Sequence, residues 1–159
     1  MAKFVAYTDG YFEMRDQVGA SAVVILDEKK ERVLFERAAA RRVEFDPAKK
    51  QRNNEQELGA IIRCVMCLPY ASDVLIYSDS QYAVKVLSGE WEASSNLGLI
   101  DRFKEEVRKN RTRFRLFWVR GHSNDVWNER ADKLCEIAAD SLRAGKSAII
   151  QSPKNLCFE

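Results

Sequence analysis

The order of elements in this sequence predicts an α/β fold. We expect a mixed five-stranded sheet, three antiparallel strands followed by two parallel ones, flanked by helices. Two observations carry that expectation. Three β-rich runs joined by short connections occupy the first forty residues or so, which suits a meander. Beyond them, stretches of helical period alternate with two further strand-like runs, the pattern of crossover connections in a layered sheet.

The first strand is expected over residues 3–8, where Phe4, Val5 and Tyr7 are β-formers. Ala20–Leu26 forms the second. Asp27-Glu28-Lys29-Lys30 makes a polar turn into the third, Arg32–Ala38. Leu58, Ile61, Ile62 and Val65 then fall at i, i+3, i+4 and i+7, which predicts an amphipathic helix capped by Asn53 or Asn54 and stopped by Pro69. Val74-Leu75-Ile76-Tyr77 reads as a strand buried on both faces, as in parallel pairing. Ser80 caps a short helix reaching Leu87, and Ser88-Gly89 ends it. Another helix runs from Leu97 to Lys109, and Arg113–Val119 is the fifth strand. A last helix starts between Asn124 and Trp127 and turns Leu134, Ile137 and Ala138 inward. From Gly145 the sequence has no clear periodicity. The expected organisation is one domain over 1–144 and a tail over 145–159.

Composition bounds the chemistry. The chain has 159 residues, 46% hydrophobic and 31% charged, which suffices for one core without staples. Its 26 basic and 24 acidic residues leave a net charge of +2, neither histone-like nor an acidic tail. A single histidine, His122, excludes multi-histidine metal sites, so a bound metal would be a hard cation on oxygen ligands. No apolar run spans a bilayer, and Asp9 comes too early for a signal peptide. The expectation is a cytoplasmic protein whose cysteines, Cys64, Cys67, Cys135 and Cys157, are reduced thiols. Cys64-Val-Met-Cys67 lacks a second such pair and lies in a helical pattern, which favours core packing over zinc or redox chemistry.

Two acids stand at strand ends, where α/β sheets bind ligands: Asp9 after the first strand and Asp79 after the fourth. If those strands are parallel neighbours, the carboxylates lie side by side and call for a counter-charge. Each acid alone also reads as a turn or cap residue, and position alone does not select Glu57 or Asp132.

Four sequence blocks add to this. Tyr7-Thr8-Asp9-Gly10, Asn53-Asn54-Glu55-Gln56-Glu57-Leu58, Ser78-Asp79-Ser80-Gln81-Tyr82, and Gly121-His122 with Asn128-Glu129-Arg130-Ala131-Asp132 resemble, in order, the motifs of type 1 ribonuclease H. The resemblance spans residues 7–132. It implies a ribonuclease H-like fold and an endonuclease that cuts the RNA strand of RNA–DNA hybrids, leaving 5′-phosphate and 3′-hydroxyl ends. It implies a pair of Mg2+ ions, with Mn2+ as a substitute, held by Asp9, Glu57, Asp79 and Asp132, Asp9 bridging both. His122 is not a ligand in that pattern and assists proton transfer or product release, a role that suits an imidazole at neutral pH. Gly10, Asn53 and Gln81 are implied to contact the RNA strand and Asn54 the DNA side of the minor groove, while Arg52, a departure from the pattern, is expected to bind a phosphate through its own guanidinium. Asn128 is placed with the substrate contacts. The resemblance also implies a monomer, and the lack of a long apolar run leads us to expect no membrane association.

The chain departs from that pattern in three places. Tyr11–Val18 replaces a Gly- and Pro-rich turn, Arg52 stands where relatives often have Thr, and only 43 positions separate Asp79 from His122. The last leaves no room for a basic helix-and-loop insert, so this is a short form. Trp91 is a candidate stacking residue. Charge is unevenly spread: residues 29–52 hold nine basic against four acidic residues and 101–120 hold eight against three, each a net +5. Nucleic-acid backbone contact is the favoured reading for 101–120, whereas 29–52 suits such contact and a solvated surface equally. Rival readings are a DNA-directed nuclease of the same fold, or a hybrid-binding module without catalysis.

Overall fold

The computed structural model of the chain describes residues 2–44 and 52–155. Three antiparallel strands open it, β1 (Lys3–Glu13), β2 (Val18–Asp27) and β3 (Val33–Arg42). Helix α1 (Arg52–Cys67) leads to β4 (Asp73–Ser78), and α2 (Gln81–Leu87) and α3 (Leu97–Asn110) lead to β5 (Arg113–Trp118). Helix α4 (Val126–Arg143) is followed by a short strand, β6 (Ile149–Ser152). The sheet order is β5-β4-β1-β2-β3-β6. The three antiparallel and two parallel strands expected from the sequence are all present, and β6 joins the antiparallel edge beside β3.

Strand alternation separates two cores. Phe4, Ala6, Val23 and Ile25 point to the face covered by α1, α2 and α3. Val5, Tyr7, Val24 and Leu26 point to the face covered by α4. Both faces of β1 and β2 are therefore buried, which explains their nearly unbroken apolar runs. Helix α4 packs on β1, β2 and β3 and stops there. As a result β4 is not buried on both faces as expected. Val74 and Ile76 are buried, but Leu75 and Tyr77, on the α4 side, are only half-buried.

Other details differ from the sequence reading. Asn53 and Asn54 lie inside the first turn of α1 rather than capping it, since the helix already includes Arg52. Ile137 is exposed, and the buried stripe of α4 is Ala131, Leu134, Cys135, Ala138 and Ala139. The cap of α4 is Asp125, whose side chain accepts from the Trp127 and Asn128 amides. The Ser80 cap is present, with its side chain accepting from the Ala83 amide. Cys64 and Cys67 are buried in the core, and burial pushes both thiols up. Cys157, Lys49 and Lys50 lie outside the described residues. Among the described residues, no helix is long and apolar enough to cross a membrane.

The hairpin that replaces a Gly- and Pro-rich turn is long, with β1 reaching Glu13 and β2 starting at Val18. Arg143 at the end of α4 holds it, donating to Asp16 Oδ2 at 2.6 Å and to Tyr11 Oη at 2.9 Å. Residues 88–96 join α2 to α3 without a helix, and only Arg111 and Thr112 separate α3 from β5, so no extra helix stands between Asp79 and β5.

Candidate active site

The parallel pairing of β1 and β4 builds the site. Their register matches Thr8 with Ser78, so the next residues, Asp9 and Asp79, emerge side by side. Strand β4 ends there as expected, but β1 runs on to Glu13 because β2 keeps pairing with it, so Asp9 lies within its strand and not after it. Helix α1 brings Glu57 against them. Carboxylate oxygens of Asp9, Glu57 and Asp79 all lie within 4.8 Å of one another. Asp132, in the second turn of α4, lies outside that triplet but near enough to help raise the Asp9 carboxyl, so both helix layers contribute acids to one site.

Burial and mutual repulsion dominate its electrostatics. Asp9 is 4% exposed, and desolvation, then Glu57, Asp79 and Asp132, push its carboxyl up to about 10. Desolvation, then Asp79, pushes Glu57 up to about 8, against hydrogen bonds from the Gly10 backbone, Asp9 and Ser78. Asp79 is raised too, by burial first, while His122 pulls the other way. Oxygen-only donors that hold surplus protons for want of positive charge fit a hard divalent cation, not a soft one.

Small residues admit this crowding. A Cβ on Gly10 would stand 2.3 Å from the Glu57 nitrogen, so only glycine lets α1 sit so close to β1. A Cβ on Gly121 would come within 3.1 Å of Asp79 Oδ2, which sets the β5–α4 loop against the cluster. His122 is exposed on that loop with a left-handed φ of 57°.

The other sequence candidates fall in different settings. The Asn53 side chain accepts from the Phe12 amide at 2.8 Å, tying α1 to the hairpin. Arg52 donates to Glu55 Oε2 and to the Glu44 carbonyl. Asn54 is half-buried, and Gln81 is exposed at the start of α2. Asn128 is buried, and its side-chain oxygen has no hydrogen-bond partner among the described residues. Trp91 lines an apolar groove of about 630 Å³ with Leu87, Leu97, Ile100 and Phe103.

Of the basic segments, Arg37, Arg41 and Arg52 join Arg63 and Arg102 along a groove of about 1220 Å³ beside α1. In the second segment Arg102 and Arg108 pair with Glu106 and Glu105, which offsets part of the charge of α3.

Sequence reasoning gave no role to Ser78 or Cys135. Ser78 Oγ donates to Glu57 Oε2 at 3.4 Å and accepts from the Ser80 amide. Cys135 Sγ donates to the Asp9 carbonyl. Ser78 stands inside a quoted motif and could have been found there, whereas nothing local marks Cys135.

The RNase H family model matches residues 1–140. The chain belongs to the RNase H family. It is 30% identical to a ribonuclease H of Trichodesmium erythraeum, covering 86% of this chain and 88% of that one. With a ribonuclease H of an Anaeromyxobacter strain it shares 31% identity over 99% and 91% of the two chains. Among solved structures, the N-terminal RNase H domain of a Mycobacterium tuberculosis protein superposes with a TM-score of 0.73 at 21% identity, covering 91% of this chain and 99% of that one. An LC11 RNase H1 solved in complex with an RNA/DNA hybrid gives 0.73 at 21% identity, over 88% and 99%. At those identities the structures establish the RNase H fold, and the sequence relatives and family model establish membership.

Proposed function

We propose that this chain is an endonuclease that hydrolyses the RNA strand of RNA–DNA hybrids, leaving 5′-phosphate and 3′-hydroxyl ends. The observation that carries this reading is the convergence of Asp9, Glu57 and Asp79 within 4.8 Å, joined by Asp132, in a chain of the RNase H family. The catalytic unit is assigned to residues 1–144, acting as a monomer in the cytoplasm.

Asp9, Glu57, Asp79 and Asp132 would hold a pair of Mg2+ ions, or Mn2+ in their place. Bound there, such ions supply an activated water and charge stabilisation at phosphorus and at the leaving oxygen. The protein's own part is to hold the four carboxyl groups together and aligned, and bound cations would supply the positive charge that ionises them. Gly10 and Ser78 orient Glu57 by hydrogen bonds. Gly121 lets the loop approach Asp79, and His122 on that loop exchanges a proton with the departing 3′-oxygen or eases product release. Gly10, Asn54 and Gln81 are assigned to the hybrid strands. Asn53, tied to Phe12, presents its amide nitrogen to the RNA, while Arg52 and the arginine-lined groove track phosphates. Buried Asn128 supports the loop from below.

The deciding experiment is incubation with labelled RNA–DNA hybrid, double-stranded RNA and double-stranded DNA, in Mg2+ and in Mn2+. Cleavage confined to the RNA strand of the hybrid is expected. Cleavage of duplex DNA, or tight hybrid binding without any cleavage, would overturn the proposal.

A further inference from the structure

Helix α4 packs on β1, β2 and β3, so among the described residues no helix covers the α4-side face of β4 and β5, and that face carries a row of aromatic side chains. Tyr7, Tyr77 and Phe117 are in register across β1, β4 and β5. Their rings form a column: Tyr7 and Tyr77 stack at 4.9 Å and 13°, Tyr77 and Phe117 at 5.1 Å and 24°. The inner end is closed. Tyr7 is buried, and Lys30 Nζ donates to its hydroxyl at 2.6 Å while lying 4.7 Å from the Tyr77 ring centre. The outer end is open. Strand β5 is the sheet edge among the described residues, where no further strand lies on the side of Phe117 away from Tyr77, and Phe117 is 37% exposed.

Two features point to what would continue the column. Arg115 is exposed and, two residues before Phe117, shares its face of the strand. Tyr77 precedes Asp79 by two residues, about 7 Å along the strand. Trp118, beside Phe117, donates from Nε1 to the Asp79 carbonyl at 3.1 Å, which fixes this corner against the carboxyl cluster. A free aromatic face with a cation beside it is the chemistry of base stacking and phosphate neutralisation.

We propose that Phe117 and Arg115 form a stacking site for an unpaired base, holding a single-stranded segment of nucleic acid next to the carboxyl cluster. The choice of nucleic acid as occupant rests on the hydrolysis reading above. The site itself is separate from the cluster and needs neither metal nor cleavage.

The test is fluorescence anisotropy of a short labelled oligouridylate and oligothymidylate with the full chain in EDTA. Phe117→Ala should weaken binding by about 5-fold to about 100-fold. Phe117→Trp should restore it. Arg115→Gln should weaken it and lower the salt slope by about 0.7. Should Phe117→Ala fail to fold, Phe117→Leu, which keeps apolar volume but removes the ring, and Arg115→Gln carry the test. Binding by the ring-removing variant and by Arg115→Gln equal to wild type, or no binding by wild type, overturns the proposal. So does a wild-type dimer on size exclusion that Phe117→Ala dissolves, since a second copy would then own the face. Loss of oligonucleotide binding on substitution, in a protein that cuts no hybrid, would reject the hydrolysis reading and keep this site.

Discussion

Gly10 and Glu57 are in closer backbone contact than any other residue type at position 10 would permit: a Cβ there would lie 2.3 Å from the Glu57 nitrogen and 2.4 Å from the Gln56 carbonyl carbon. Both neighbours are main chain of α1, so neither can rotate away. Gly10→Ala should therefore push α1 off β1, costing about 1–3 kcal/mol of stability. Glu57 would be carried away from Asp9 as well. Thermal unfolding checks the first effect and hybrid cleavage the second. Wild-type values for both would show that α1 has slack that the packing does not suggest.

Asp79→Asn removes charge but almost no volume from a side chain at the end of β4. Cleavage should be abolished while the circular dichroism spectrum stays unchanged. A variant that cuts hybrid at the normal rate would remove Asp79 from the site.

The metal-free cluster should make stability fall as pH rises. In the folded chain Asp9 is raised to about 10 and Glu57 to about 8, both above ordinary carboxyl values, so the folded state binds more protons than the unfolded one across that window. The resulting stabilisation is complete below pH ~4 and is lost progressively as pH climbs to those folded values. In EDTA, Tm should drop between mildly acidic and alkaline pH. Asp9→Asn should flatten that drop, and Mg2+ should raise Tm most at the alkaline end. A metal-free Tm that is flat or rising over this range would contradict the crowded-carboxyl picture.

His122→Ala should slow turnover by about 100-fold without eliminating it, since positioned proton transfer contributes on that order. Mg2+ stabilisation measured by thermal shift should persist, because His122 is not assigned as a ligand. Complete loss of turnover together with loss of the Mg2+ shift would make His122 part of the metal site.

The element order was readable because each element carries a local period or cap. The i, i+3, i+4, i+7 spacing of Leu58 to Val65 marks α1, and Ser80 marks α2. The errors arose where neighbours far along the chain decide the outcome. Leu75 and Tyr77 read as fully buried, yet α4 stops short of β4 and leaves their face open. Ile137 read as core, yet the stripe that meets the sheet lies elsewhere on α4.

The sequence by itself determined a mixed sheet with an acid just past its fourth strand, and its motifs singled out Asp9, Glu57, Asp79 and Asp132 among 24. Only the tertiary structure decided how they meet. The Thr8–Ser78 register and the bare Gly10 bring carboxylates from β1, α1 and β4 into one buried cluster, with Asp132 reaching it from α4. Tertiary pairing likewise drew Ile149–Ser152 from a patternless tail onto β3, more than a hundred residues away. It also aligned Tyr7, Tyr77 and Phe117 into one column. Local periodicity records which face of an element is apolar. It does not record which strand lies alongside, and that cross-strand choice is what assembles the carboxyl cluster and the ring column.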